Sequence, residues 1–186
     1  MGSQIQFIAL CCVAALAGGP AAADGLLSEV RVGGAFHDRG LFSDAEEDGI
    51  DVTAEALFAS PGFLRWVGKP RPHLGLAAAT DAEATSYLHF GLTWQADIFR
   101  GVFIEGSLGG AVHDGDPLRE EDQTAAQRAT QKALGCRVLL RESVGAGYRL
   151  TERLNFSVYV DHISNANLCD SNEGLDNIGA RLGWRF

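Results

Sequence analysis

Apolar side chains recur at every second position through eight stretches of this 186-residue chain, at roughly 28–36, 50–59, 72–80, 86–95, 101–112, 137–149, 154–164 and 175–186. Successive side chains of a strand point to opposite faces, so this period describes β-strands with one greasy face. In the fourth stretch Leu88, Phe90, Leu92 and Trp94 alternate with His89, Gly91, Thr93 and Gln95. In the eighth, Ile178, Ala180, Leu182, Trp184 and Phe186 alternate with Asn177, Gly179, Arg181, Gly183 and Arg185. One row is apolar throughout; the other holds Glu, Arg, His, Asp and many glycines.

A soluble sandwich would turn the apolar row inward. Strand length argues for the opposite arrangement. The stretches run to about 9–11 residues, the span a tilted strand needs to cross a bilayer, whereas strands of globular proteins average about 5–6. The expected fold is therefore all-β: an eight-stranded antiparallel transmembrane β-barrel whose polar interior is plugged by side chains. Glu29, Glu55, Glu105 and Asp161 are the interior acids, with Arg31, Arg137, Arg141, Arg181 and Arg185 as their partners. Glu142 breaks the pattern, a charge on the apolar row, and is expected near the aqueous boundary, where such a charge costs little.

An even-stranded barrel begins and ends on the same side, with short turns there and longer loops opposite. The inner turns are read at about 60–71, 96–100 and 150–153, and the outer loops at about 37–49, 81–85, 113–136 and 165–174. Residues 1–23 lack charged side chains and combine an apolar stretch, Phe7 to Ala17, with Ala21-Ala22-Ala23. That is the pattern of a secretory signal peptide, leaving 24–186 as the barrel. The outer loops carry Asp44, Glu46, Glu47, Asp48, Asp114, Asp116, Glu120, Glu121 and Asp122, and the net charge of −9 argues against nucleic acid as a partner. Cys136 and Cys169 both fall at the outer end, which leaves a disulfide between them open in an exported chain. His73 and His89 belong to the interior row, and His37 and His113 to strand ends or loops. No histidine shows metal-ligand spacing, and no metal or other cofactor is expected.

Chemistry concentrates at the end of the seventh stretch, 154–164. Its even positions read Leu154, Phe156, Val158, Val160, His162 and Ser164, so the lipid-facing row ends in a base and a nucleophile. The strand runs outward, which places the pair at the outer leaflet. Asp176 lies on the apolar row of the returning strand with Ile178 and Ala180, and completes an acid–base–nucleophile set. Glu173, in the intervening loop, is the competing acid.

The run His162-Ile163-Ser164-Asn165-Ala166, followed by Asn172, Gly174, Asp176, Gly179, Arg181, Gly183 and Phe186, resembles the lipid A 3-O-deacylases of Gram-negative outer membranes (PagL type, acyloxyacyl hydrolase superfamily). The specific part of the likeness covers 161–186. It implies an eight-stranded barrel of the cell outer membrane that removes the acyl chain ester-linked at position 3 of lipid A, with lipopolysaccharide as substrate and outer-membrane lipid as surroundings. By the same resemblance Ser164 is the nucleophile, His162 the base, Asp176 the acid and Asn172 a donor to the oxyanion. Asn165 is a second oxyanion candidate, or holds the loop. In the best-studied type the acid is a glutamate, and aspartate stands here. Two other readings compete: a non-enzymatic structural or adhesive barrel, and an outer-membrane phospholipase. Homodimerisation is left open.

Overall fold

The computed structural model describes residues 25–40, 43, 47–115, 124, 126 and 130–186. The expected signal peptide lies outside them, as do the loop acids Asp44, Glu46, Asp116, Glu120, Glu121 and Asp122.

Eight strands form: β1 (Leu27–Phe36), β2 (Ile50–Phe58), β3 (Arg71–Ala79), β4 (Tyr87–Phe99), β5 (Val102–His113), β6 (Val138–Arg149), β7 (Leu154–Ser164) and β8 (Leu175–Arg185). Each pairs antiparallel with its sequence neighbour, and β1 with β8, so the sheet closes on itself and has no free edge. Closure satisfies the backbone hydrogen bonds internally, which a sheet in hydrocarbon requires.

The two rows separate as the period demands. Val52, Leu74, Phe90, Leu108, Val144, Val158 and Leu182 are exposed around the outside, a continuous apolar band that suits lipid and not water. Phe99, Tyr148, Trp184 and Phe186 are exposed aromatic residues at the end where β1 begins and β8 finishes, the position of an interfacial girdle.

Inside, Arg31 reaches Glu29 at 2.7 Å, Glu105 at 2.8 Å and Glu55 at 3.2 Å, and Arg181 bridges Glu105 at 2.6 Å and Glu55 at 3.3 Å. Arg141 lies 2.8 Å from Asp161. The network continues outward. Tyr87 donates to Asp161, Asn177 donates to Tyr87 and Asp51, and His37 joins Asp51 to Glu47. A buried charge is tolerable only when paired and hydrogen-bonded in this way, and breaking one such pair costs about 3–5 kcal/mol.

Some expectations are corrected. Arg137 is not an interior partner: it sits at the outer rim, donating to the carbonyls of His113 and Gly115. Arg185 is inward but half-buried at the inner rim, and Arg71 supplies the second guanidinium on Glu29, at 2.5 Å. The plug is polar through its middle, and beside the polar groups of its outer end it holds an apolar cluster: Leu134 drops from the long loop onto Tyr87, Leu139, Ile163 and Leu175. β4 also runs on through 96–99, because Ala96 and Ile98 continue the outward row. The turn is then only Arg100-Gly101, both at positive φ (41° and 87°), the backbone that a tight hairpin between twisted strands prefers. The long inner turn contains a short 3₁₀ helix, Gly62–Val67, whose last carbonyl accepts from the Trp94 indole at 2.7 Å.

Candidate active site

Strand register assembles the site. His162 on β7 pairs directly with Asp176 on β8, and Asp176 Oδ1 lies 2.5 Å from His162 Nδ1. Ser164 follows two residues later on the same outward face, at the last position of β7. His162, Asp176 and Ser164, the candidate base, acid and nucleophile, therefore share one patch of the outward row at the outer end. The contact at Nδ1 leaves Nε2 as the ring atom for proton transfer.

Loops finish the arrangement. Although Asp176 belongs to the outward row, it is only 1% exposed. The stretch after β1 lies across it: the Arg39 amide donates to the Asp176 carbonyl at 2.8 Å, and a Cβ on Gly40 would fall 2.2 Å from Asp176 Oδ2. Gly174 is packed against the imidazole, where a Cβ would come within 2.6 Å of His162 Cε1. Nothing in the local sequence pattern announces Arg39 and Gly40 as the cover.

Of the two candidate acids, Glu173 is occupied elsewhere. Its carboxylate accepts from the Ala133 amide, and its own amide donates to the Ala133 carbonyl, tying the site loop to the long loop. The Asn165 side-chain amide donates to the carbonyls of Leu134 and Ser171, so it holds the loop. Asn172 accepts from the Asn165 backbone amide at 2.8 Å and donates to Asn167 at 3.2 Å, at a more exposed position. Cys136 and Cys169 are joined in a disulfide, with Cα atoms 6.0 Å apart, binding the stem of the long loop to the loop between β7 and β8.

Glu142 lies on the outward row near the outer end of β6. It pairs in register with His162, on the side opposite Asp176, so a single transverse row reads Leu108, Glu142, His162, Asp176 across β5 to β8. A groove of about 740 Å³ opens beside this row and is lined by Trp94, Gly106, Leu108, Val144 and Val160 as well as Glu142, His162 and Asp176. Gly106 gives it room: a Cβ there would have no neighbour closer than the Ser143 carbonyl at 3.8 Å.

A closed eight-stranded barrel, apolar outside and plugged with paired charges inside, is a protein of the Gram-negative outer membrane. The comparisons narrow the class. The family model for lipid A 3-O-deacylase (PagL) matches residues 50–185, and the chain belongs to that family. Among solved structures, the outer-membrane enzyme PagL is similar with a TM-score of 0.60 at 15% identity, over 86% of this chain and 100% of that one. Neisserial surface protein A is similar at 0.52 and 12% identity, over 88% and 98% of the two chains. The N-terminal barrel of Pseudomonas aeruginosa OprF gives 0.51 and 10%, over 86% and 97%. At these identities the likenesses concern the fold. No curated protein matches the sequence.

Proposed function

We propose that this protein hydrolyses the 3-O-linked acyl ester of lipid A by a Ser–His–Asp mechanism on the outside of the barrel. The observation that carries the reading is the 2.5 Å contact between His162 Nδ1 and Asp176 Oδ1 on the lipid-facing row that ends in Ser164. Ser164 Oγ attacks the ester carbonyl while His162 Nε2 takes its proton. Asp176 holds the imidazole in the tautomer with the proton on Nδ1, and stabilises the positive charge that develops. Collapse of the tetrahedral intermediate breaks the bond to the sugar oxygen, which receives the proton from His162. Water then attacks the acyl-serine by the same route and releases the fatty acid.

The oxyanion needs donors held in place before the reaction, and losing one typically costs about 3–4 kcal/mol of transition-state stabilisation. Asn172 is the candidate, since its amide stands in the loop that follows Ser164 and is the more exposed of the two asparagines. The acyl chain fits the apolar groove beside His162, so substrate reaches the site by lateral diffusion, and water comes from the nearby interface.

Mass spectrometry of lipid A from cells expressing the protein tests this. The wild type should remove one ester-linked acyl chain, and Ser164→Ala should abolish the change while the barrel still assembles. Deacylation that persists in the serine variant would end the proposal. Release of fatty acid from glycerophospholipid, with lipid A untouched, would favour the phospholipase reading.

A further inference from the structure

Across the outward rows of all eight strands, carboxylate and imidazole side chains occur at one place only. They are Glu142, His162 and Asp176, with Ser164 beside them, on the adjacent strands β6, β7 and β8. The reaction accounts for the last three. Glu142 is left over.

Its position is unusual for a carboxylate. An exposed carboxylate on the lipid-facing side of a barrel destabilises it relative to an apolar residue, by an amount that grows with depth. Its neighbours along β6 are Leu140 and Val144, and its partner on β5 is Leu108. Among the described residues no hydrogen bond or ion pair engages its carboxylate. Directly paired residues hold their Cβ atoms about 4.5–5.5 Å apart, so Glu142 flanks His162 at the depth where the ester must lie. It also stands on the wall of the apolar groove, beside His162.

We infer that Glu142 forms a second polar subsite on the barrel surface, which accepts a hydrogen bond from a hydroxyl or amide N–H of the sugar that bears the scissile ester. This deepens the deacylase reading and rests on it. A bound glycolipid puts its chain along Val144, Gly106 and Trp94 and its ester at Ser164. The sugar then lies over the row formed by Glu142, His162 and Asp176, and Glu142 is the acceptor of that row outside the reaction. A carboxylate there favours neutral donors and repels phosphate, so it orients the sugar with its phosphate turned away. Selection follows: an ester on a hydroxyl-rich or amide-bearing sugar gains a contact that a simple alkyl or aryl ester lacks.

The test uses the full-length mature barrel refolded in detergent, with Glu142→Gln and Glu142→Leu assayed on purified lipid A and on a long-chain 4-nitrophenyl ester. Wild-type turnover of lipid A and its loss in Ser164→Ala establish the underlying reaction first; without them the deacylase reading and this subsite fall together. With them, Glu142→Leu should raise KM for lipid A by about ten- to a hundredfold, the worth of a hydrogen bond to a charged acceptor. The kcat should change much less, and Glu142→Gln, which keeps a carbonyl acceptor, should recover part of the loss. The aryl ester should lose far less than lipid A. Heat stability of the Glu142→Leu barrel, read by electrophoretic mobility, should equal or exceed that of the wild type. Equal losses on both substrates would overturn the subsite in favour of an effect exerted through His162. Unchanged kinetics on lipid A, or a loss that tracks unfolding, would overturn it as well.

Discussion

His162 on β7 and Asp176 on β8 are direct register partners, joined at 2.5 Å through Nδ1, and the acid is buried beneath Gly40 while the ring reaches the lipid-facing groove. One side of the imidazole is therefore fixed by protein and the other faces the groove. Asp176→Asn keeps the shape but offers an amide N–H to Nδ1, which favours the wrong tautomer. Deacylation kinetics should show a fall of about 10⁴-fold in kcat, the scale set by the same change in a serine-protease triad, with the barrel still folded.

Gly174 tests whether the ring must be held in place. Its backbone accepts an L-residue, because its φ is not in the left-handed region, but a Cβ would meet His162 Cε1 at 2.6 Å. Gly174→Ala should push the ring aside and reduce kcat by about a hundredfold, the effect of a misplacement near 1 Å. Unaltered heat-modifiable mobility in electrophoresis would show that folding is intact.

Gly106 tests the groove. A side chain there enters open space, so Gly106→Leu should leave folding undisturbed while it obstructs the apolar channel between Val144 and Trp94. The variant should discriminate against long acyl chains by about tenfold or more, since each misfitted methylene costs about 1–3 kcal/mol. Competition between lipid A species of different chain length, read by mass spectrometry, measures this.

His37 makes the anchoring of the first outer loop depend on pH. Burial works against its charged form, but hydrogen bonds and charge from Asp51 and Glu47 outweigh that and raise its pKa to about 9. A raised pKa means that the stabilisation is complete below the ordinary value of 6.5 and disappears as pH climbs through about 9. Glu47 has the opposite sign. Burial raises its pKa, but His37 and the amides of Thr85 and Lys132 lower it overall, so its contribution holds above 4.5 and is lost as pH falls further. Limited proteolysis should find the segment around Glu47 protected between about pH 5 and 8, and cleaved faster above pH 9.

A strand's alternation is local, and from it the sequence by itself determined the number of strands, which row meets lipid, and that Ser164 and His162 end a lipid-facing row. The interior positions of Arg31, Glu55, Glu105, His73 and His89 followed from the same parity, because one residue decides the face of the next. Pairing between strands and the packing of loops join residues far apart in the chain, and only the tertiary structure decided those. It set Asp176, not Glu173, beside His162 by register, placed Glu142 on the other side of that ring, and moved Arg137 to the rim in favour of Arg71. It also joined Cys136 to Cys169 and laid Arg39 and Gly40 over the acid. A period of two specifies which way a side chain points; which neighbour it meets is settled by the closure of the barrel.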